Sequence, residues 1–270
     1  MFAHIFGLGQ AAAKARTLNN TFSQRCVFPF QEVSNVSKRF GGVHALRGVS
    51  LTLHAGEVLA LAGDNGAGKS TLIKIISGVY QPDDGTLSYQ GKEIRLENPH
   101  RARDCGIETI YQDLALADNL DVGANVFLGR EPISRFLGLP FVDRRKMRDE
   151  AEKTLRALEI HINQLDLPIR SLSGGQRQSV AIGRAIHWNA RVLIMDEPTA
   201  ALGVPEQRKV MELITNLKQS GVGVIFISHN LIDIFHVSDR ILVLRRGAKV
   251  GEKVTSETNS DEIIRLMVGG

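Results

Sequence analysis

The sequence predicts an α/β fold with a mostly parallel sheet, an antiparallel β subdomain beside it and an inserted α-helical subdomain. Three observations carry this prediction. An apolar strand-like segment, 57–62, leads into a glycine-rich loop and then into a helix-like segment at 71–76. A second apolar segment, 192–197, ends in two carboxylates, as a strand buried on both faces of a parallel sheet does. Between them, segment 147–158 carries apolar residues at helical spacing among charged ones.

Composition agrees with this class. The chain has 270 residues, 43% hydrophobic and 23% charged, which is enough to bury one core and a smaller lobe. Its 33 basic and 29 acidic residues leave a net charge of only +4, so no nucleic-acid partner is expected. The longest apolar stretches, such as 222–227, fall well short of the ~20 residues that span a bilayer. Cys26 and Cys105 show neither metal-ligand nor paired spacing, which suits a reducing cytoplasm.

The first 29 residues differ from the rest of the chain. They contain Lys14, Arg16 and Arg25 but no acid. No apolar core of the signal-peptide type follows the positive charge, so we expect a disordered extension, or a misplaced start codon, rather than a targeting segment. The remaining 30–270 are expected to form the functional domain.

Short strands are predicted next. Segments 43–46 and 49–53 alternate apolar and polar residues, which is typical of a half-buried antiparallel sheet. Segment 82–85 (PDDG) predicts a turn, and 86–89 followed by the turn Gln90-Gly91 predicts a hairpin beside the core.

The glycine-rich loop has the pattern of a phosphate-binding loop set between a strand and a helix, which predicts a P-loop NTPase core. Backbone N–H groups at the helix start would face the phosphates. Lys69 would reach the β and γ phosphates of ATP, and the Ser70 hydroxyl would bind Mg²⁺. The predicted nucleotide-binding residues here are Gly63, Asp64, Asn65, Gly66, Ala67, Gly68, Lys69, Ser70 and Thr71.

The strand at 192–197 delivers two acids to the same edge of the sheet. Asp196 would hold the Mg²⁺ shell, and Glu197 would orient or deprotonate the attacking water. Alone, such a strand also occurs as plain core closed by an acid. The catalytic assignment therefore depends on a further motif.

That motif is segment 172–176 (LSGGQ), just before a predicted short helix. Its polar and glycine positions could form a second anion-binding helix start, or only cap a surface helix. With this segment the chain resembles the ATP-binding cassette family. The resemblance implies that the signature covers the γ-phosphate held by a second copy, so that a homodimer traps two ATP molecules. The signature residues are Ser173, Gly174, Gly175 and Gln176.

Three smaller motifs of the family occur in the expected order. Gln112 matches the glutamine loop, which touches Mg²⁺ or the water and reports nucleotide state to a membrane partner. His229 matches the switch histidine that contacts the γ-phosphate, and Phe40 matches the aromatic residue that stacks on adenine. Taken alone, a glutamine such as Gln112 is more often polar surface and a histidine such as His229 is more often structural. An aromatic residue such as Phe40 near a turn is as likely to serve in packing. The resemblance also assigns catalytic roles to Gln112, Lys69, Glu197 and His229, and Mg²⁺ contacts to Ser70, Gln112 and Asp196.

One position departs from the family pattern. The loop at 198–203 (PTAALG) ends in Gly203, where the family usually has an aspartate that helps couple the two sites of the dimer. Hydrolysis is expected to survive this change, with weak cooperativity between sites.

The helical subdomain is expected at about 113–180. Met147, Ala151, Leu155 and Leu158 are interpreted as its core packing, with 144–146 as a solvated helix start. The resemblance implies that its surface receives the coupling helices of a permease. After His229, segment 240–250 predicts two strands joined by a turn, and Ser260 is expected to cap a helix that runs to Met267.

Two segments narrow the resemblance. Segments 111–116 (YQDLAL) and 125–131 (NVFLGRE), with the DNG version of the phosphate loop, are similar to monosaccharide importers. Most of those fuse two cassettes, whereas this chain has one phosphate loop and one signature. It therefore resembles the single-cassette members, of which fructose-type importers are the nearest.

The resemblance implies an ATPase subunit of a bacterial-type sugar importer, peripheral on the cytoplasmic face of the inner membrane. Its partners would be ATP, a second copy of itself, integral-membrane permease subunits and, indirectly, a periplasmic or extracellular sugar-binding protein. The alternatives are a soluble cassette ATPase of repair or translation, a subunit for another solute, an exporter half and a sugar kinase.

Overall fold

The computed structural model describes residues 31–136, 139–162 and 164–269. The predicted N-terminal extension, residues 1–29, lies outside the described residues. The described chain forms a six-stranded sheet, a four-stranded antiparallel sheet, and a helical region with a two-stranded hairpin. This architecture confirms the predicted fold class.

The strands are β1 Gln31–Phe40, β2 Val43–Leu53, β3 Val58–Ala62, β4 Asp84–Tyr89, β5 Lys92–Ile94, β6 Ile107–Ile110, β7 Ile133–Phe136, β8 Leu139–Val142, β9 Val192–Asp196, β10 Gly223–Ile227, β11 Arg240–Arg245 and β12 Ala248–Val254. The α-helices of the described residues are α1 Lys69–Ile76, α2 Pro99–Asp104, α3 Val122–Val126, α4 Arg144–Ala157, α5 Gly174–His187, α6 Val204–Gln219, α7 Leu231–Val237 and α8 Ser260–Val268. Short 3-10 turns lie at Ile169–Ser171 and Thr255–Glu257.

The six-stranded sheet has the order β12-β11-β3-β10-β9-β6. All neighbours pair in parallel except β11 and β12. Every residue of β3 and β10 is buried, because helices and the second sheet cover both faces. In β3, Leu59 and Leu61 pack toward α1 and the antiparallel sheet, while Val58, Ala60 and Ala62 pack toward α5 and α6. The continuous apolar runs therefore predicted these strands correctly.

The antiparallel sheet has the order β2-β1-β4-β5. The two short strands predicted at 43–46 and 49–53 are one strand, β2, whose pairing with β1 shifts register along its length. The hairpin predicted around Gln90-Gly91 is confirmed as β4 and β5. Its first strand begins at Asp84, inside the predicted turn, because Ser37 of β1 pairs with Asp84.

The helical region between β6 and β9 has its own core, formed by Val122, Val126, Met147, Leu155 and their neighbours. Of the predicted stripe, Met147, Ala151 and Leu155 are buried, and Leu158 follows the end of α4. The sequence did not predict the β7–β8 hairpin in this region, and α5 continues to His187, beyond the expected end at 180.

The chain ends with the predicted strand pair β11–β12 and helix α8. Ser260 was predicted to cap α8, but it is the first residue of the helix. The cap is Asn259, whose side-chain oxygen accepts a hydrogen bond from the N–H of Glu262 at 3.0 Å. Asn and Ser are about equally favourable as N-cap residues, so the sequence alone did not decide which of the two caps α8. Across the described ranges, no helix combines the length and the apolar character needed to cross a membrane.

Candidate functional site

The carboxyl ends of four neighbouring strands meet at one edge of the parallel sheet. The glycine-rich loop follows β3, His229 follows β10, Asp196 ends β9, and Gln112 follows β6. Ligands of open α/β sheets bind at this edge. The sheet order therefore explains why residues more than a hundred positions apart form one site.

A cleft of about 580 Å³ opens at this edge. It contains most of the predicted loop together with the predicted metal and catalytic residues. The residues lining it are Val43, His44, Ala45, Asp64, Asn65, Gly66, Ala67, Gly68, Lys69, Ser70, Thr71, Gln112, Asp196, Glu197, Ala200, Ile227 and His229. Val43 and His44 were not predicted, because nothing in their strand pattern distinguishes them from other positions on β2.

The loop wraps tightly around the start of α1. Gly68 caps α1 with φ of +106°, and a Cβ at this position would lie 2.8 Å from the carbonyl oxygen of Ala45. Only glycine tolerates both the backbone angle and the approach. The loop N–H groups are thereby held at the mouth of the cleft, where they could bind a phosphate.

Lys69 lies across this loop. Its Nζ donates hydrogen bonds to the carbonyl oxygens of Gly63, at 2.5 Å, and Asp64, at 3.1 Å. Burial lowers the pKa of Lys69, while the carboxylates of Glu197, Asp196 and Asp64 act in the opposite direction. The ammonium group is therefore positioned among acids, where it can balance the charge of a bound phosphate.

Asp196 is the last residue of β9 and Glu197 follows it, and the two carboxylates have different environments. Burial is the largest cause that raises the pKa of Asp196, and the negative charge of Glu197 raises it further. The positive charge of Lys69 acts in the opposite direction and lowers this pKa. Glu197 has φ of +53°, an uncommon angle for a residue with a side chain, and its N–H donates to the carbonyl of Ile227 at 2.9 Å. This backbone turn ends the strand and directs the Glu197 carboxylate into the cleft.

Glu197 and His229 are in direct contact. His229 Nδ1 lies 2.7 Å from Glu197 Oε2, and the His229 side chain is 78% exposed whereas that of Glu197 is 18% exposed. A carboxylate bonded to an imidazole at the mouth of a cleft could position a water molecule and accept its proton. Glu197, the predicted activator of the attacking water, and His229, predicted to contact the γ-phosphate, are thus brought together.

The donors available to a cation are oxygens. Ser70, Gln112 and Asp196 all line the cleft, and they match the hard-oxygen preference of Mg²⁺. Within the part of the chain that the structure describes, no three His, Cys, Asp or Glu side chains form a metal cluster of their own. Mg²⁺ commonly binds through one or two carboxylates together with substrate phosphates, so this donor set fits it.

The signature residues lie outside the cleft. Ser173 caps α5 in a capping box: its Oγ accepts from the N–H of Gln176, and its own N–H donates to Gln176 Oε1. The structure therefore contains the capped helix that was the alternative interpretation. The first intrahelical hydrogen bond runs from the N–H of Arg177 to the carbonyl of Ser173, so the N–H groups of Gly174 and Gly175 have no partner within the helix. Ser173, Gly175 and Gln176 border a separate groove of about 460 Å³.

Phe40 also lies outside the residues that line the cleft. Its ring is 43% exposed and meets the Tyr80 ring edge-on, with 5.3 Å between ring centroids. The packing alternative for Phe40 is therefore present in the structure. Stacking on adenine stays a prediction.

One buried hydrogen bond connects the two loops that carry Glu197 and His229. Thr199 Oγ1 donates to Asp233 Oδ2 at 2.7 Å, and both residues are buried. Thr199 lies two residues after Glu197, and Asp233 lies on α7, which begins just after His229. This hydrogen bond can fix the position of Glu197 relative to His229.

We expect Thr199→Val to lower the free energy of unfolding by about 1–3 kcal/mol, because the buried Asp233 carboxylate loses its donor. Urea denaturation checks this. Thr199→Ser, which keeps the hydroxyl, should unfold close to the native protein. Equal stability of Thr199→Val and the native protein would contradict the importance of the bond.

The departure at Gly203 has a structural consequence. Gly203 caps α6 without a side-chain hydrogen bond, and a Cβ there would lie 2.7 Å from Oε2 of Glu206. The Glu206 carboxylate thus occupies the space beside the glycine. An aspartate at 203 would have to displace it.

If two copies of the chain pair as the resemblance implies, we expect ATP hydrolysis with a Hill coefficient near one, because Gly203 offers no carboxylate for coupling the two sites. Initial rates over a range of ATP concentrations measure it. Gly203→Asp should raise the coefficient, and Gly203→Ala, which adds only a Cβ, is the control. A coefficient near two in the native protein would disprove weakened coupling.

Comparison with known proteins identifies the family. The family model described as ABC transporter matches residues 46–200, more than half of the chain. The xylose/arabinose import ATP-binding protein XylG of Sulfolobus acidocaldarius is 50% identical over 236 residues, which cover 87% of this chain and 92% of that protein. The ribose import ATP-binding proteins RbsA of Caldanaerobacter subterraneus subsp. tengcongensis and RbsA 2 of Escherichia coli O157:H7 are 41% and 42% identical, covering 89% of this chain. The chain spans only about half of each ribose protein, 48% and 47%.

Solved structures agree with these matches. The ADP conformation of MJ1267, an ATP-binding cassette of an ABC transporter, superposes with a TM-score of 0.77 at 26% identity, covering 90% of this chain and 100% of that one. A nucleotide-free ATP-binding cassette from an ABC transporter gives a TM-score of 0.75 at 26% identity, covering 90% and 96%. The predicted family is confirmed: the chain belongs to the ABC transporter family and has the fold of its ATP-binding cassette.

Proposed function

We propose that this chain is the ATP-binding and ATP-hydrolysing subunit of an importer for a monosaccharide. The observation that carries the proposal is the single cleft that holds the phosphate-loop residues together with Gln112, Asp196, Glu197 and His229. The names of the relatives, which are xylose/arabinose and ribose import proteins, support the substrate class. These sugars are pentoses, and the sequence resemblance was nearest to fructose-type importers, so the proposal names a monosaccharide as the substrate class.

The residues of the cleft suit hydrolysis of a phosphoanhydride. The loop N–H groups and Lys69 bind the β and γ phosphates, and Ser70, Gln112 and Asp196 hold the metal. Mg²⁺, when bound, neutralises charge on the phosphate oxygens. Glu197 accepts a proton from the attacking water, and His229, bonded to Glu197, fixes the carboxylate and faces the γ-phosphate.

A second copy of the chain completes the site. Ser173, Gly175 and Gln176 border a groove and do not line the cleft, so they suit contact with ATP held by the other subunit of a two-fold dimer. Phe40 would stack on the adenine. ATP drives closure of such a dimer only as far as it binds the closed state more tightly than the open one.

The partners follow from this role. The dimer would lie under two permease subunits on the cytoplasmic face of the inner membrane, and a sugar-binding protein outside would deliver the solute. The helical region at about 113–180 would receive the permease. A cassette for another solute is the second candidate, since no residue of the cleft contacts a transported molecule.

Affinity purification of tagged Glu197→Gln protein from detergent-solubilised membranes with ATP tests the proposal. Recovery of a multi-span permease supports it, and sugar uptake by the reconstituted complex would identify the solute. Recovery of ribosomal or DNA-repair proteins, or of a lone soluble dimer, would overturn it in favour of a soluble cassette ATPase.

A further inference from the structure

A second pocket adjoins the catalytic residues of the cleft. It has a volume of about 390 Å³ and lies where the loop after β6, the loop after β9 and the start of α5 meet. Gln112, Glu197 and Ala200 line both this pocket and the cleft, so they border both cavities. We call it the Gln178 pocket, after the residue of α5 that lines it.

The charge of the Gln178 pocket disfavours a phosphate as its occupant. Three acids, Asp113, Asp118 and Glu197, line it, against one cation, Arg177. The Arg177 guanidinium donates hydrogen bonds to backbone carbonyls through Nε and Nη2, and its Nη1 lies 3.7 Å from Asp118. A polar cavity with room for more than one water molecule suits ordered water.

Gln178 has a buried amide without a partner. The residue is 4% exposed, and in the described ranges its Nε2 has no hydrogen-bond partner. The two preceding residues differ, because Gln176 closes the capping box and Arg177 bonds to backbone carbonyls. A buried N–H group without a partner costs free energy of folding, so the position calls for a bound water molecule or a functional role.

The Glu197 carboxylate can accept a further hydrogen bond. Among the residues that the structure describes, His229 is its only hydrogen-bond partner, through Oε2. Each oxygen of a carboxylate has two lone pairs. Glu197 Oε1 can therefore accept a hydrogen bond from a water molecule in the Gln178 pocket.

We propose that Gln178 is a positioning residue for ATP hydrolysis, which acts on Glu197 through ordered water in the Gln178 pocket. Gln178 Nε2 donates to the water, and the water donates to Glu197 Oε1. With His229 on Oε2, both carboxylate oxygens are then held in the orientation in which Glu197 accepts a proton from the attacking water. The inference rests on the proposed function, because it requires Glu197 to be the water activator.

Gln178→Met, which keeps the length of the side chain and removes the donor, tests the proposal in the purified full chain. Its kcat for ATP hydrolysis should fall at least about tenfold, while KM and the Kd for ATP stay within about twofold, because no ATP-binding residue is changed. Its free energy of unfolding in urea should be no lower than that of the native protein, because an unpaired buried amide gives way to an apolar group. A purely structural role predicts a loss of stability instead.

The dependence on Glu197 has a readout of its own. In a Glu197→Gln background, adding Gln178→Met should lower single-turnover phosphate release by less than about twofold further, because residues that act as one unit are not additive. Gln178→Asn, which keeps an amide donor that a further water can reach, should retain more turnover than Gln178→Met.

Gln31→Met is the matched control. Gln31 on β1 is fully buried, its side-chain amide also has no partner in the described ranges, and it lines neither the cleft nor the Gln178 pocket, so this variant should keep the native kcat.

Four outcomes would overturn the inference and leave the proposed function intact. They are a native kcat in Gln178→Met, a stability of Gln178→Met below the native value, an equal loss of turnover in Gln178→Asn, and a loss that adds in full to that of Glu197→Gln. The absence of ATP turnover in the native chain would instead count against the proposed function, and with it against this inference.

Discussion

Glu197→Gln should reduce ATP turnover by about 10²- to 10⁴-fold while ATP still binds. The amide has nearly the same shape and can keep a hydrogen bond to His229, which lies 2.7 Å from Glu197 Oε2, but it cannot accept a proton from water. The substitution also removes a negative charge that raises the pKa of Asp196, so the cleft should repel the phosphates less. Phosphate release and ATP binding are measured separately.

The same variant should trap the dimer. If closure requires ATP and reopening requires hydrolysis, Glu197→Gln with ATP and Mg²⁺ should elute as a dimer, whereas the native protein should return to monomer as ATP is consumed. Size-exclusion chromatography with light scattering distinguishes the two. Asp261→Asn, which removes an exposed acid on α8, is the control and should retain native turnover. Unchanged turnover in Glu197→Gln would remove Glu197 from the role of water activator.

Sequence patterns predicted the site well where a single strand ends in functional residues. β3, β9 and β10 are continuous apolar runs, and the residues after them could be assigned to one sheet edge before the order of strands was known. The order itself, with β10 between β3 and β9, is a long-range property that no local pattern contains. It is this order that brings His229 to Glu197.

Other features depend on contacts between distant segments. The Thr199–Asp233 bond and the Phe40–Tyr80 contact join residues 34 and 40 positions apart, and neither has a local signature. The β7–β8 hairpin has strands of only four residues with Pro140 in the second, so its pattern is too short and too irregular to predict strands. Asn125 belongs to the segment 125–131 that resembles the monosaccharide importers. Its side chain is fully buried and forms hydrogen bonds with the backbone of Ala117, Leu120 and Asp121, so it has a structural role that the sequence did not reveal.

Lys69→Met should weaken ATP binding by about 10- to 100-fold, the equivalent of about 1.5–3 kcal/mol for a charged hydrogen bond. The native ammonium lies near the carboxylates of Asp64, Asp196 and Glu197, which would otherwise face the phosphates alone. Its hydrogen bonds to the carbonyls of Gly63 and Asp64 are the ones that phosphate oxygens would replace. Isothermal titration calorimetry with ATP and Mg²⁺ measures the change. Lys92→Met is the control, because Lys92 is an exposed lysine on β5 that lines neither the cleft nor the groove of the signature residues.

The stability of this variant separates binding from folding. Burial already lowers the pKa of Lys69, which means that the folded protein gains little from the charged form there, so Lys69→Met should change the free energy of unfolding without ATP only slightly. At the same ATP concentration the native protein should gain more stability than the variant, because a ligand stabilises the folded state more the more tightly it binds that state. Thermal unfolding with and without ATP gives both quantities. If Lys69→Met were stabilised by ATP as much as the native protein, the phosphates would have to bind without Lys69, and its assigned role in phosphate binding would be wrong.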